Sequence, residues 1–220
     1  MERTDVYLQI ITNQPWLLSP FVIAVFAYFL VPKADRLFVS IVLLAPWLQI
    51  GSSQELSLIA AAAKLTSGFP FLLVAYSAWT HPGPKRRLPG VLWIYPAMAL
   101  VWIVAIIGVN EPIVAVVLRI QWLCFTISAI SLVSTVVTYA DFKRIINGFT
   151  VGCLVALIIP ISALILFPRE SFLKGVGRFT PWGTNSNQIG MLFALSAPLL
   201  GYAMMTWPKK YKPFLIFMLS

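Results

Sequence analysis

Charge is what this chain has least of. Charged residues make up 10% of its 220 positions, and only seven are Asp or Glu. A soluble domain carries about 25% charged residues, and a chain this poor in charge cannot cover a water-facing surface. There is one histidine and there are two cysteines. Cys124 and Cys153 both fall inside apolar runs and read as small buried residues, which leaves neither a disulfide framework nor a metal site. No Gly-x-x-x-x-Gly-Lys-[Ser/Thr] loop occurs, which argues against an ATP-driven motor. No Gly-x-Gly-x-x-Gly fingerprint of a soluble nucleotide-sugar domain is present either. No acidic residue lies well inside an apolar run, although a proton- or sodium-coupled transporter usually needs one there.

What fills the chain is apolar. Hydrophobic residues reach 60%, and the mean hydropathy is +0.88. Several runs hold roughly 18–25 apolar residues, enough to cross a ~30 Å hydrocarbon core as helix. They are continuous, where the strands of a membrane barrel would alternate apolar and polar residues. The expectation is an all-α, polytopic transmembrane helix bundle forming a single domain over residues 1–220. Spans are expected at 16–32, 37–51, 57–79, 91–109, 113–138, 149–167 and 189–206, with the start of an eighth near 213. Trp16, Trp47, Trp79, Trp182 and Trp207 fall near the proposed interfaces, where amphipathic rings are favoured. Pro46, Pro160 and Pro198 are expected to kink their helices. The first run has no basic lead-in and no small-residue cleavage site after it, so it reads as a retained helix and not a signal peptide.

The net charge of +9 does not form a nucleic-acid-binding patch. The cations sit in short clusters between apolar runs: Lys33/Arg36, Lys85/Arg86/Arg87, Lys143/Arg144 and Lys209/Lys210/Lys212. The loops after the first, third, fifth and seventh spans therefore hold ten Lys or Arg. The opposite side holds four, namely Arg3, Arg169, Lys174 and Arg178. Cytoplasmic loops carry the excess of cations, so the N-terminus and residues 168–188 are expected outside, which in a Gram-negative cell would mean the periplasm.

That outer segment, from Pro168 to Gln188, is basic and rich in Gly, Asn and Thr. Glycine permits close backbone approach to a ligand, Asn and Thr supply neutral hydrogen bonds, and a guanidinium suits bidentate phosphate recognition. An ordinary re-entry loop with a helix cap at Thr184 or Asn185 accounts for the same residues. The pattern Arg178-x-x-x-x-Gly183-x-Asn185-x-Asn187, followed by an apolar helix, resembles a segment of the O-antigen ligase and O-antigen polymerase superfamily. The usual form has Asn-Pro-Asn, and here the central position is Ser186. The order of spans and the basic stretch at 139–144 fit the same family.

The resemblance implies a metal-independent and cofactor-free membrane glycosyltransferase of cell-surface polysaccharide or lipopolysaccharide assembly. Such proteins act on the outer face, on glycans carried by a polyprenyl diphosphate such as undecaprenyl diphosphate. They pass the glycan to lipid A–core, to a growing polymer or to protein. It also implies that these residues are the N-terminal portion of a longer protein, whose catalytic loop, with further Arg and His, follows. By the same resemblance Arg178, Asn185 and Asn187 are candidates to hold the diphosphate, while the catalytic residues stay unassigned. His81, in a basic loop on the inner side, reads as a solvated residue.

Two further cations draw attention by their depth. Lys64 lies about two turns into the third span, on a stripe of small residues, Ser57, Ala61, Gly68 and Ala75. Arg119 lies at similar depth in the fifth. A charge inside a span is costly and usually faces the bundle interior. Snorkelling to the outer interface, with Glu55 or Glu111 as partner, is the structural alternative. Lys64 is the better candidate to join Arg178 on a diphosphate. Arg119 is secondary, because the polar stripe Gln121, Cys124, Ser128, Ser131 and Thr135 points the other way. Small residues at Asn187, Gly190, Ala194, Ala197 and Gly201 predict a close helix contact along span seven. Gly148-x-x-x-Gly152 opens span six, but pairs at that spacing are common by chance. A transporter or flippase for a lipid-linked or anionic solute would use the same cations for binding alone.

Overall fold

The structure is a computed structural model, and it describes residues 10, 12–50, 57–104, 112–169, 171–172, 178–181 and 186–219. Among these the fold is all-α, apart from one isolated antiparallel bridge between Phe172 and Phe179. The helices are α1 (Ser19–Leu30, entered through a 3-10 turn at Pro15–Leu18), α2 (Arg36–Ile50), α3 (Ser57–Leu65), α4 (Gly68–Thr80), α5 (Ile94–Val104, after a 3-10 turn at Gly90–Trp93), α6 (Pro112–Ser134), α7 (Tyr139–Leu166), α8 (Ser186–Thr206) and α9 (Lys212–Leu219).

Four helical stretches are long and apolar enough to cross a membrane: Leu58–Thr80, Ile113–Ser134, Tyr139–Leu166 and Asn187–Thr206. Pro15–Leu30, Arg36–Ile50 and Gly90–Ile103 are apolar but shorter. Of seven expected spans, four therefore meet the length. The first is closed off by Pro32, whose ring disfavours helix at Val31; Val31 is extended, with ψ 138°. The remainder of the fourth expected span, 105–109, lies outside the described residues.

Two elements depart from their expected form. The third run is broken into α3 and α4 at Thr66 and Ser67. Pro70 has no N–H to donate to the Thr66 carbonyl, and its ring crowds that carbonyl. Phe69 N–H takes the Thr66 carbonyl instead at 3.0 Å, while Thr66 N–H and Oγ1 bond the Ala62 carbonyl at 3.0 and 2.8 Å. The sixth run begins ten residues early, at Tyr139. Thr138 caps it: its Oγ1 accepts from Asp141 N–H at 3.3 Å, and the Asp141 carboxylate accepts from Thr138 N–H at 2.8 Å. Reciprocal bonds of this kind fix a helix start. Lys143 and Arg144 thus ride on the first turns of α7, not in a loop.

Named contacts fix the relative directions of α1, α2, α4, α6, α7 and α8. Asp35 meets Arg144, and further along Gly152 meets the backbone of Val42, so α2 and α7 run the same way. Phe21 stacks near Trp47, with centroids 5.0 Å apart, and α1 opposes α2. Tyr28 Oη and Ser77 Oγ lie 2.6 Å apart, placing the ends of α1 and α4 side by side. Phe71 meets Phe125 at 5.6 Å and Arg86 N–H bonds the Ser134 carbonyl at 2.7 Å, so α4 and α6 are parallel. Trp207 Nε1 donates to Asn147 Oδ1 at 2.9 Å, bringing the end of α8 to the start of α7. The helices alternate in direction, and the loops at 31–35, 81–89, 135–138 and 207–211 meet at one end. The cation clusters gather there.

The closest helix crossing is α2 against α7. A Cβ on Gly152 would lie 3.0 Å from the Val42 carbonyl oxygen, and one on Gly148 would lie 3.1 Å from Ile41. The glycine pair that chance would supply is here the pair that lets α7 approach α2, Gly152 against its backbone and Gly148 against the Ile41 side chain. The stripe expected to pack on α8 does the opposite. Asn187, Gly190, Ala194 and Ala197 are exposed, and among the described residues no heavy atom lies within 4 Å of where a Cβ on Gly190 or Gly201 would stand. The buried face of α8 is Ile189, Leu192, Ser196, Leu200 and Ala203, against Leu154, Leu157 and Leu215. Larger apolar side chains bury more area per contact than Gly and Ala, and they chose the face.

Candidate functional site

The segment between α7 and α8 is held by its stem. Ser171 is buried, and both its N–H and its Oγ donate to the Phe167 carbonyl at the end of α7, at 3.0 and 2.8 Å. Thr180 N–H returns to the Ser171 carbonyl at 2.7 Å, and Phe172 and Phe179 lie 5.4 Å apart between ring centroids. Pro181 is fully buried. This pins Phe179, and Arg178 follows from the chain geometry one residue away.

Arg178 and Phe179 face the first turns of α8 across an open cleft of about 480 Å³, whose far wall is Asn187, Ile189, Gly190 and Phe193. Gly190 leaves the wall hollow, since among the described residues no atom fills the place of a Cβ. The Arg178 side chain is exposed and, among the described residues, takes part in no ion pair. Two of the expected site residues, Arg178 and Asn187, thus share one cleft. Asn185 lies outside the described residues, as do Gly177, Gly183 and Lys174.

Lys64 and Arg119 do not line that cleft. Lys64 is exposed in the last turn of α3, where the helix breaks, while Ala60 to Ala63 before it are buried. A cation at a helix C-terminus complements the carbonyl end of the dipole. Of the two alternatives for Lys64, its exposure fits a side chain turned away from the bundle interior. Arg119 is half-buried and its guanidinium donates to the Trp102 carbonyl of α5. Its polar stripe is on the other side as expected: Cys124, Ser128, Ser131 and Thr135 are all buried. Arg36 and Lys85 act in the same manner as Arg119. Arg36 donates to the Val31 and Phe29 carbonyls at the end of α1, at 2.9 and 2.8 Å, and Lys85 donates to the Trp79 carbonyl of α4. Arg144 holds Asp35 at 3.0 Å and also donates to the Ala34 carbonyl.

Trp47 is buried in the core formed by Leu17, Phe21 and Ala61 to Ala63, and its Nε1 donates to Thr66 Oγ1 at 3.2 Å. His81 is half-enclosed at the end of α4, and its buried Nδ1 has no hydrogen-bond partner among the described residues. Burial, with Arg144 and Lys85 nearby, holds its pKa below the ordinary 6.5 against the opposing pull of Asp141. It is thus less solvated than a loop position suggests.

No protein-family model, curated protein or solved structure matches the chain. The chemistry of the site therefore rests on its own residues. A guanidinium at the rim of a cleft, beside an Asn side chain and a hollow made by glycine, can hold an anionic oxygen group by two parallel N–H···O bonds. The two phenylalanines offer apolar faces beside it. Neither Phe179 nor Phe193 stood out in the sequence. Phe193 is three residues from Gly190 and so on its face, but that matters only once this face is known to be open.

Proposed function

We propose that this chain is a membrane protein of cell-surface polysaccharide assembly that handles a glycan on a polyprenyl diphosphate at the outer face of a bacterial inner membrane. The activity of this reading is glycosyl transfer or polymerisation, as in the O-antigen ligase and polymerase superfamily that residues 178–187 resemble. The observation that carries it is the cleft of Arg178, Asn187 and Gly190, at the end of α8 away from the cation clusters. From Asn187 to Trp207, α8 rises about 30 Å, one hydrocarbon thickness. The guanidinium would then meet a diphosphate at headgroup level without entering hydrocarbon.

The membrane topology belongs to the same reading. The three shorter apolar helices complete seven traverses, with α9 opening an eighth. What supports this is the alternation of helix direction together with the ten cations at one set of helix ends and loops. The N-terminus and residues 168–188 then lie outside.

The role of the guanidinium is to take the charge that develops on the diphosphate as an acceptor hydroxyl attacks the anomeric carbon and the glycan's bond to the diphosphate oxygen breaks. Cations aimed at a leaving group lower the barrier in this way. The test is glycan assembly from labelled lipid-linked donor. Arg178→Ala should abolish most transfer, and Arg178→Lys should be impaired but less so, because lysine keeps the charge and loses the planar fork. Normal assembly by Arg178→Ala at matched membrane abundance would remove the reading. Translocation of the donor without transfer would make the protein a flippase.

A further inference from the structure

At the opposite end of the bundle lies a second cleft that the proposed reaction does not use. It is small, about 150 Å³, and sits between α4, the 81–89 loop, the turn before α5 and the end of α6. Arg86 enters it, with Trp79 and Trp93 on its walls and Ile130 and Ser134 at its floor. We propose that this cleft binds the phosphodiester of an anionic phospholipid, with Arg86 as the ligand to the phosphate.

Four observations carry it. First, the Arg86 backbone is fixed, because its N–H bonds the Ser134 carbonyl at the end of α6 at 2.7 Å. Second, Lys85 and Arg144 are committed elsewhere, Arg87 does not line the cleft, and Arg86 is uncommitted. Lys85 donates to the Trp79 carbonyl, and Arg144 is bound to Asp35 and the Ala34 carbonyl. Among the described residues the Arg86 guanidinium has no hydrogen bond or ion pair of its own. Third, the two carboxylates at this end do not compete for it: Asp35 is held by Arg144, and Asp141 by the Thr138 cap. Fourth, the hydroxyls in the floor are spent. Ser131 Oγ donates to the Ile127 carbonyl at 2.7 Å, and Ser134 Oγ to the Ser131 carbonyl at 2.6 Å. An anion entering the cleft finds one cationic fork.

Size and surroundings favour a lipid over a free ion. The cleft has room for a phosphate group and little more. Beside it Trp79 is 54% exposed, Trp93 49% and Val133 51%, forming an apolar border. Paired indoles beside a cation are the composition of a membrane interface, where rings lie level with the headgroups. Basic pockets between spanning helices on the side that carries the positive charge suit anionic headgroups. The acyl chains would lie along the exposed indoles while the phosphodiester takes the guanidinium in bidentate form.

The protein reconstituted in vesicles of mixed phosphatidylglycerol and phosphatidylcholine, then released for native mass spectrometry, tests this. Wild type should retain phosphatidylglycerol in preference to phosphatidylcholine. Arg86→Gln should lose that preference about tenfold, one bidentate charged contact being worth roughly 1.4 kcal/mol or more. Trp93→Ala should weaken it in a chain that keeps Arg86, and Lys210→Gln, a cation elsewhere on the same end, should leave it intact. Equal retention by Arg86→Gln and wild type would overturn the proposal. So would an equal loss in Lys210→Gln, which would mean diffuse attraction, or displacement of the lipid by millimolar inorganic phosphate, which would mean a free-ion site. These outcomes do not depend on what Arg178 does.

Discussion

Single residues decide how closely the helices approach, and the two glycine pairs separate cleanly. Gly152 touches the Val42 backbone, whereas Gly190 faces open space. Gly152→Ala should therefore destabilise the bundle, since the Cβ meets a carbonyl oxygen that moves only with its helix. Overpacking of this kind costs about 1–3 kcal/mol. Gly190→Ala should leave the melting temperature unchanged. Thermal unfolding of both variants in one detergent checks the pair. If Gly190→Ala is the more damaging, the open face of α8 is covered in the folded protein and the cleft beside Arg178 is not a cleft. Arg119 is decided at this scale too. Arg119→Gln should lower stability by about 1–2 kcal/mol through loss of a charge-assisted bond to the Trp102 carbonyl, with Arg119→Lys milder. Loss of glycan transfer by Arg119→Gln at unchanged melting temperature would return that residue to the binding site.

Elements show why the cations are where they are. Arg36 and Lys85 each bond carbonyls at or near the end of the helix before them. They serve topology and helix termination at once. His81 sits at the end of α4 within this cationic region. Its lowered folded pKa means the unfolded chain binds more protons between that value and 6.5. Stability contributed by the neutral imidazole is therefore present above 6.5 and is lost as pH falls through that value toward the lower folded pKa. The melting temperature of wild type should fall more steeply from pH 7.5 to about pH 5 than that of His81→Gln. Parallel slopes would show that the imidazole exchanges freely with solvent.

For the whole molecule, the alternating directions and the gathered cations predict a sided protein. Single cysteines at positions 86 and 187, in a chain with Cys124 and Cys153 replaced, test it with an impermeant thiol reagent. Position 187 should label in intact spheroplasts, and position 86 only after the membrane is opened. The reverse pattern would turn the molecule over, placing the Arg178 cleft in the cytoplasm and away from any donor presented outside.

The all-helical class, the apolar runs and the clustering of cations were legible in the sequence, because each is a property of composition over twenty residues and survives small errors of boundary. So was the polar stripe along α6, which follows from helical period alone; that Cys124, Ser128 and Ser131 on it are buried came from the structure. The Arg178 and Asn187 segment was legible as a motif, but its cleft was not. The hollow at Gly190 depends on which face of α8 is buried, and there the sequence pointed the wrong way. Small residues permit close packing without requiring it. The face is chosen by competition among all the side chains that could be buried, and Leu192, Leu200 and Ile189 prevailed. Likewise the break of the third run before Pro70 was not foreseen, and the bond from Trp47 to Thr66 beside it joins residues nineteen apart. Local sequence sets what each helix can do; only the neighbours brought to it by the tertiary fold decide which of its surfaces meets protein and which stays open.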